Sequence, residues 1–79
     1  MSNDEISARN VICHCIHVMC MAVRHYEDVK SVEFIPDQEI VKIHVEHPTC
    51  KYDLNVNVAC DSEAAFVHDI EAALYKHFT

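Results

Sequence analysis

ARNVICHCIHVMCMAVRHY, Ala8 to Tyr26, contains neither glycine nor proline and repeats its apolar residues at helical spacing. At about 100° per residue, Ala8, Val11, Ile12, Cys15, Ile16, Val18, Met19, Ala22, Val23 and Tyr26 share an arc roughly 160° wide. That arc is expected to cover the core. Nearly opposite runs a second line, Ile6, Asn10, Cys13, His17, Cys20 and Arg24, whose steps alternate between four and three residues. This is the spacing of a helix–helix seam. Because the core does not call for it, two readings stand: a contact face for a second copy or a partner helix, or simply an exposed face.

Outward from this helix the period changes. Residues 1–5 form a polar lead in which Ser2, Asn3 or Asp4 can cap the helix, which is expected to run to about Glu27. Val32 and Phe34 then alternate with Ser31 and Glu33. Val41, Ile43 and Val45 alternate with Lys42, His44 and Glu46, and Tyr52, Leu54, Val56 and Val58 with Lys51, Asp53, Asn55 and Asn57. Turns at Asp37-Gln38 and Pro48-Thr49 bring Phe34 opposite Val41, Val45 opposite Tyr52 and Ile43 opposite Leu54, all facing inward. The same registers set Glu33 against Lys42, Glu46 against Lys51 and His44 against Asp53 on the outer face. A slip of one residue would reverse every side chain. Asp61 is expected to cap a second helix, Ser62 to Phe78, with Phe66, Val67, Ile70, Ala73, Leu74, His77 and Phe78 as its apolar stripe. Residues 1–79 are thus expected to form a single α+β domain, α-β-β-β-α, with both helices on one face of an antiparallel meander.

Composition narrows the functions. Thirteen acids against six bases give a net charge of −7, which argues against direct binding to a nucleic-acid backbone and favours a protein partner with a basic surface. The acids expected to contact it are Asp28, Glu33, Asp37, Glu39, Glu46 and Asp53. No apolar run is long enough to cross a membrane. Five cysteines, an odd number, follow a polar N-terminal stretch, so free thiols and a cytoplasmic location are expected. Glycine is absent, which excludes every glycine-rich phosphate loop.

Cys13, His17 and Cys20 are the candidate chemistry. Cys13 and Cys20 lie about 10.5 Å apart along a helix axis, whereas two thiolates on one zinc ion sit within roughly 4 Å. A single helix therefore supplies at most half a tetrahedral site. No metal, cofactor or catalytic residue is expected, and the chain is not expected to be an enzyme. Cys50 and Cys60 are expected as thiols at the core or its edge, and His77 as a packed histidine.

The element order, with SEAAFVHDIEAAL over residues 62–74, resembles the double-stranded RNA-binding domain in its alanine and leucine spacing. In that family a basic cluster opens the second helix. Here the corresponding residues are Asp61, Ser62 and Glu63 and the glycine-bearing loop is missing, so RNA binding is not implied. In size, acidity and topology the chain is also similar to small phage inhibitors of CRISPR nucleases. That resemblance implies a non-catalytic protein whose acidic surface blocks a nucleic-acid-binding site, as a homodimer or alone. Two other readings remain open: a metal- or redox-responsive dimeric regulatory module using Cys13, His17 and Cys20, and a small structural assembly subunit.

Overall fold

Alternation along the three predicted strands fixes the centre of the fold. The computed structural model describes residues 2–58 and 62–78. Its elements are α1 (Asn3–Ala22), a 3-10 turn (Arg24–Tyr26), β1 (Val29–Ile35), a second 3-10 turn (Pro36–Gln38), β2 (Ile40–His47), β3 (Cys50–Asn57) and α2 (Glu63–Phe78). The strands form one antiparallel sheet in the order β1-β2-β3. Phe34 pairs with Val41, Val32 with Ile43, Val45 with Tyr52 and Val41 with Val56. Glu33–Lys42, His44–Asp53 and Glu46–Lys51 face each other as their charges require. The architecture is α+β, in the order that the sequence predicts.

The two hairpins solve the absence of glycine differently. Pro36 opens the first turn, and Glu39 closes it in the left-handed region at φ 53°, ψ 44°. The second loop is two residues long, Pro48-Thr49, and neither has positive φ, so the usual primed hairpin geometry is not used. There the Thr49 N–H donates to His47 Nδ1 at 3.2 Å, which holds the turn from the side. β1 also begins earlier than the alternation suggests. An irregularity between Val29 and Ser31 resets its phase, so Val29 turns into the core alongside Val45.

Helix ends follow local chemistry. The Ser2 side chain accepts the Glu5 N–H while its hydroxyl donates to the Glu5 carboxylate, a reciprocal cap. α1 stops at Ala22, about a turn before the expected Glu27. Val23 is extended (φ −109°, ψ 122°), and the chain folds back so that Tyr26 meets Phe78 edge-on at 5.5 Å. The β-branched Val23 takes the extended conformation easily. α2 is capped by Ser62, whose hydroxyl accepts the Ala65 N–H at 3.1 Å. Asp61, the expected cap, and Cys60, an expected core thiol, lie outside the described residues.

Both helices lie on one face of the sheet. Cys13, Ile16 and Cys20 of α1 and Phe66, Ile70 and Leu74 of α2 close over Phe34, Val41, Ile43, Val45 and Val56. Phe34 and Phe66 meet edge-on at 5.2 Å across the layers, and burying each large side chain contributes about 1.5–3 kcal/mol. An odd number of strands separates the helices, so they run in the same direction. Arg9 therefore lies over the ring of Phe66 near the starts of both helices, and Tyr26 reaches Phe78 at the far end.

Candidate functional site

The core face of α1 is not the expected one. Cys13 and Cys20 are each only 2 % exposed, whereas Val11 is 61 %, Met19 58 % and Val18 45 % exposed. From the predicted inward arc only Ile16 is buried; Ala8, Ile12 and Tyr26 are half-buried, and Cys15, Ala22 and Val23 face solvent. The expected seam is thereby corrected. Cys13 and Cys20 are inside the molecule, Ile6 and His17 are half-buried, and only Asn10 and Arg24 are exposed. The physical reason is volume. α1 packs on a sheet and a second helix that already present Phe34, Phe66, Ile43 and Ile70. Small thiols let the backbone come close, and cysteine is among the residues most often buried.

Burial also changes the chemistry of those thiols. Removal from water pushes Cys13 up to about 11 and raises Cys20 as well, so both stay protonated at neutral pH. A protonated, enclosed thiol is a poor nucleophile and a poor ligand. Among the described residues no group of three histidines, cysteines or carboxylates is disposed to hold a metal ion. Cys50, expected at the core or its edge, is exposed. It lies on the inner side of β3 but at the hairpin end, where α2 finishes. His77 is exposed too, with its Nε2 2.6 Å from the Tyr52 hydroxyl and its ring 4.8 Å from that of Phe78.

The candidate acids fall into two groups. Asp53 and Glu46 belong to a network on the open face of the sheet: His44 Nδ1 is 2.7 Å from Asp53, its Nε2 3.2 Å from Glu46, and Lys51 Nζ 4.0 Å from Glu46. Hydrogen bonds to Asp53 and then Glu46 raise the His44 pKa, because both carboxylates favour the charged ring. These two acids are therefore largely engaged, and Asp28 sits near them, its carbonyl accepting the Glu46 N–H. Asp37 and Glu39 belong to the opposite end of the molecule, with Glu33 on the strand leading to them, opposite Lys42.

At that opposite end the topology gathers more charge than expected. Because α1 and α2 run the same way, both start beside the β1–β2 turn. The Val58 N–H donates to the Glu39 carbonyl, tying the end of β3 to that turn just before α2 begins. Asp4 and Glu5 in the first turn of α1, Glu63 in the first turn of α2, and Asp37 and Glu39 thus share one pole, all exposed. The nearest base in α1, Arg9, is buried. Asp4, Glu5 and Glu63 read in sequence only as helix-end charges. Counting strands between the helices is the signal that joins them to Asp37 and Glu39.

A second feature lies along the two helices. Val11, Cys15, Val18 and Ala22 form an exposed stripe on α1, diametrically opposite Cys13 and Cys20. Beside it, Met19, Val23, Ala72 and Tyr75 edge a mostly apolar cleft of about 450 Å³ between α1 and α2, with Tyr75 67 % exposed. Among the described residues no helix is long and apolar enough to cross a membrane.

Comparison with known proteins returns no match, whether to protein-family models, to curated proteins or to solved structures.

Proposed function

We propose that this chain is a non-catalytic cytoplasmic binding protein that docks its acidic pole on a basic, nucleic-acid-binding surface of another protein and blocks it. Some small phage-encoded inhibitors of CRISPR nucleases, which the chain resembles in size, acidity and topology, use acidic surfaces in this way. The observation that carries the reading is a gathering of charge: five of the thirteen acids, Asp4, Glu5, Asp37, Glu39 and Glu63, stand exposed at one end, whereas Glu46 and Asp53 are engaged by His44 and Lys51. Such a pole raises the local potential and steers a positively charged partner onto one end of the molecule. Cytoplasmic residence accords with the free thiols at Cys13, Cys15, Cys20 and Cys50. The alternative of a thiol-based metal or redox module loses Cys13 and Cys20 to the core.

The test is capture of a nucleic-acid-handling complex by the immobilised chain at low and at high salt, beside an Asp37→Lys, Glu39→Lys variant. The reading expects capture that weakens steeply with salt, is lost in the variant, and releases nucleic acid from the captured complex. Capture that is indifferent to salt and to both substitutions overturns it.

A further inference from the structure

Beyond its first turn the exposed face of α1 has no part in the acidic pole, and its composition is unlike the rest of the surface. From Ile6 to Tyr26 the chain contains no acidic residue, although thirteen acids are spread over the remainder. Arg9, one of the two bases in this stretch, is buried, and the other, Arg24, lies beyond the end of the helix. The outward stripe Val11, Cys15, Val18 and Ala22 steps by four, three and four, the spacing at which two helices interlock.

We propose that this face is a two-fold contact with a second copy of the chain, α1 against α1. Charge selects the occupant. A basic partner finds no carboxylate on this stripe, and the cleft beside it carries a single acid, Glu71, next to His68; a second copy brings the same acid-poor ridge, so two chains of net charge −7 meet here with few close like charges. Area agrees. Val11, Val18, Met19, Val23 and Tyr75 are each between 40 % and 67 % exposed, on the order of 400 Å² of apolar surface, within the range of the largest patches that soluble monomers show. That is about half of the roughly 800 Å² per partner of a standard interface, whose remainder is polar rim. Shape agrees as well. A ridge on α1 runs beside the cleft between α1 and α2, and a two-fold axis sets ridge against cleft on both copies at once. The contact uses the face of α1 opposite the expected seam. It is independent of the acidic pole, so either reading can fail without the other.

Sedimentation of the full chain under reducing conditions, from micromolar to several hundred micromolar, tests the assignment. The wild type is expected to shift from one to two chain masses. Val18→Glu and Val18→Lys should each raise the dissociation constant about a hundredfold or more, since a charge would be buried at the contact. The lysine variant is the sharper of the two, because it lowers the net negative charge and its effect cannot come from repulsion between acidic chains. Val18 lies on an exposed helix surface, so helical circular dichroism and melting temperature should hold in both variants. A wild type that keeps one chain mass throughout overturns the contact, as does a dimer that both variants leave intact or an assembly larger than two chains.

Discussion

Cys13 and Cys15 are two residues apart and have opposite fates, because a step of two along a helix turns the side chain by about 200°. Cys13 is 2 % exposed and its thiol is pushed up to about 11, while Cys15 faces solvent. Alkylation of the native chain at mildly alkaline pH, diluted below the concentration at which two copies pair, should therefore modify Cys15 and Cys50 quickly and reach Cys13 and Cys20 only on unfolding. Mass spectrometry of timed samples checks this. Placing a hydroxyl where the Cys13 thiol sits costs about 1–3 kcal/mol without a partner, so Cys13→Ser should lower the urea midpoint clearly and Cys15→Ser hardly at all. Equal losses would mean that the two faces of α1 had been assigned wrongly. His44 makes a separate prediction. Folding raises its pKa above 6.5 through Asp53 and then Glu46, so the folded state holds the proton more tightly than the unfolded chain. That contribution is complete below about pH 6.5 and disappears as pH climbs through the raised value. The side chain is partly exposed and the contribution is correspondingly modest. A titration followed by NMR should place the His44 midpoint above that of a free histidine, and Asp53→Asn should bring it down.

The strands and the helices differ in how plainly their sequences report them. In β1, β2 and β3 an apolar residue alternates with a polar one, so a single register satisfies Phe34–Val41, Ile43–Leu54 and the three outward charge pairs together. Nothing competes with it from Ser31 onward, where the meander is legible residue by residue; the start of β1 at Val29, behind the irregularity, is not. α1 carries apolar side chains at almost every angle and no acid after Glu5, so hydropathy alone cannot choose its inner face. Packing chose it, favouring thiols small enough to bring the backbone close, and with it went the seam. The acidic pole was half legible, since Asp37 and Glu39 announce a turn while Asp4, Glu5 and Glu63 join them only through the shared direction of the helices. The turn itself makes a prediction. Glu39 holds a left-handed conformation that costs a residue with a Cβ about 1–2 kcal/mol. Glycine avoids that cost but loses about 0.5–1 kcal/mol in backbone freedom. Glu39→Gly should thus stabilise the chain by up to about 1 kcal/mol in urea unfolding, while Glu39→Val, β-branched at the same φ, should destabilise it.

In the whole molecule, 39 Å along its longest axis, stability and charge pull against each other. A domain of this size has a thin core, and crowding like charge at one pole weakens the compact state. Three of the five pole acids offset part of that cost, since Asp4, Glu5 and Glu63 lie in first turns, where the helix dipole favours negative charge. Asp37 and Glu39 have no comparable return. Neither side chain is tied into the turn, whose closing hydrogen bond runs from the Glu39 N–H to the Pro36 carbonyl. If their charge served the fold, reversing it would weaken the chain. If it serves a partner, the outcome is the opposite: Asp37→Lys with Glu39→Lys should melt at the same temperature as the wild type or a few degrees higher at low salt, with the difference shrinking as salt screens the pole. Glu5→Lys should instead melt lower, because it loses both the reciprocal cap with Ser2 and the favourable dipole. Thermal unfolding of the three chains at two ionic strengths separates the cases. A clear fall in the melting temperature of the turn variant would return Asp37 and Glu39 to the fold and leave the acidic pole without its two most freely offered charges.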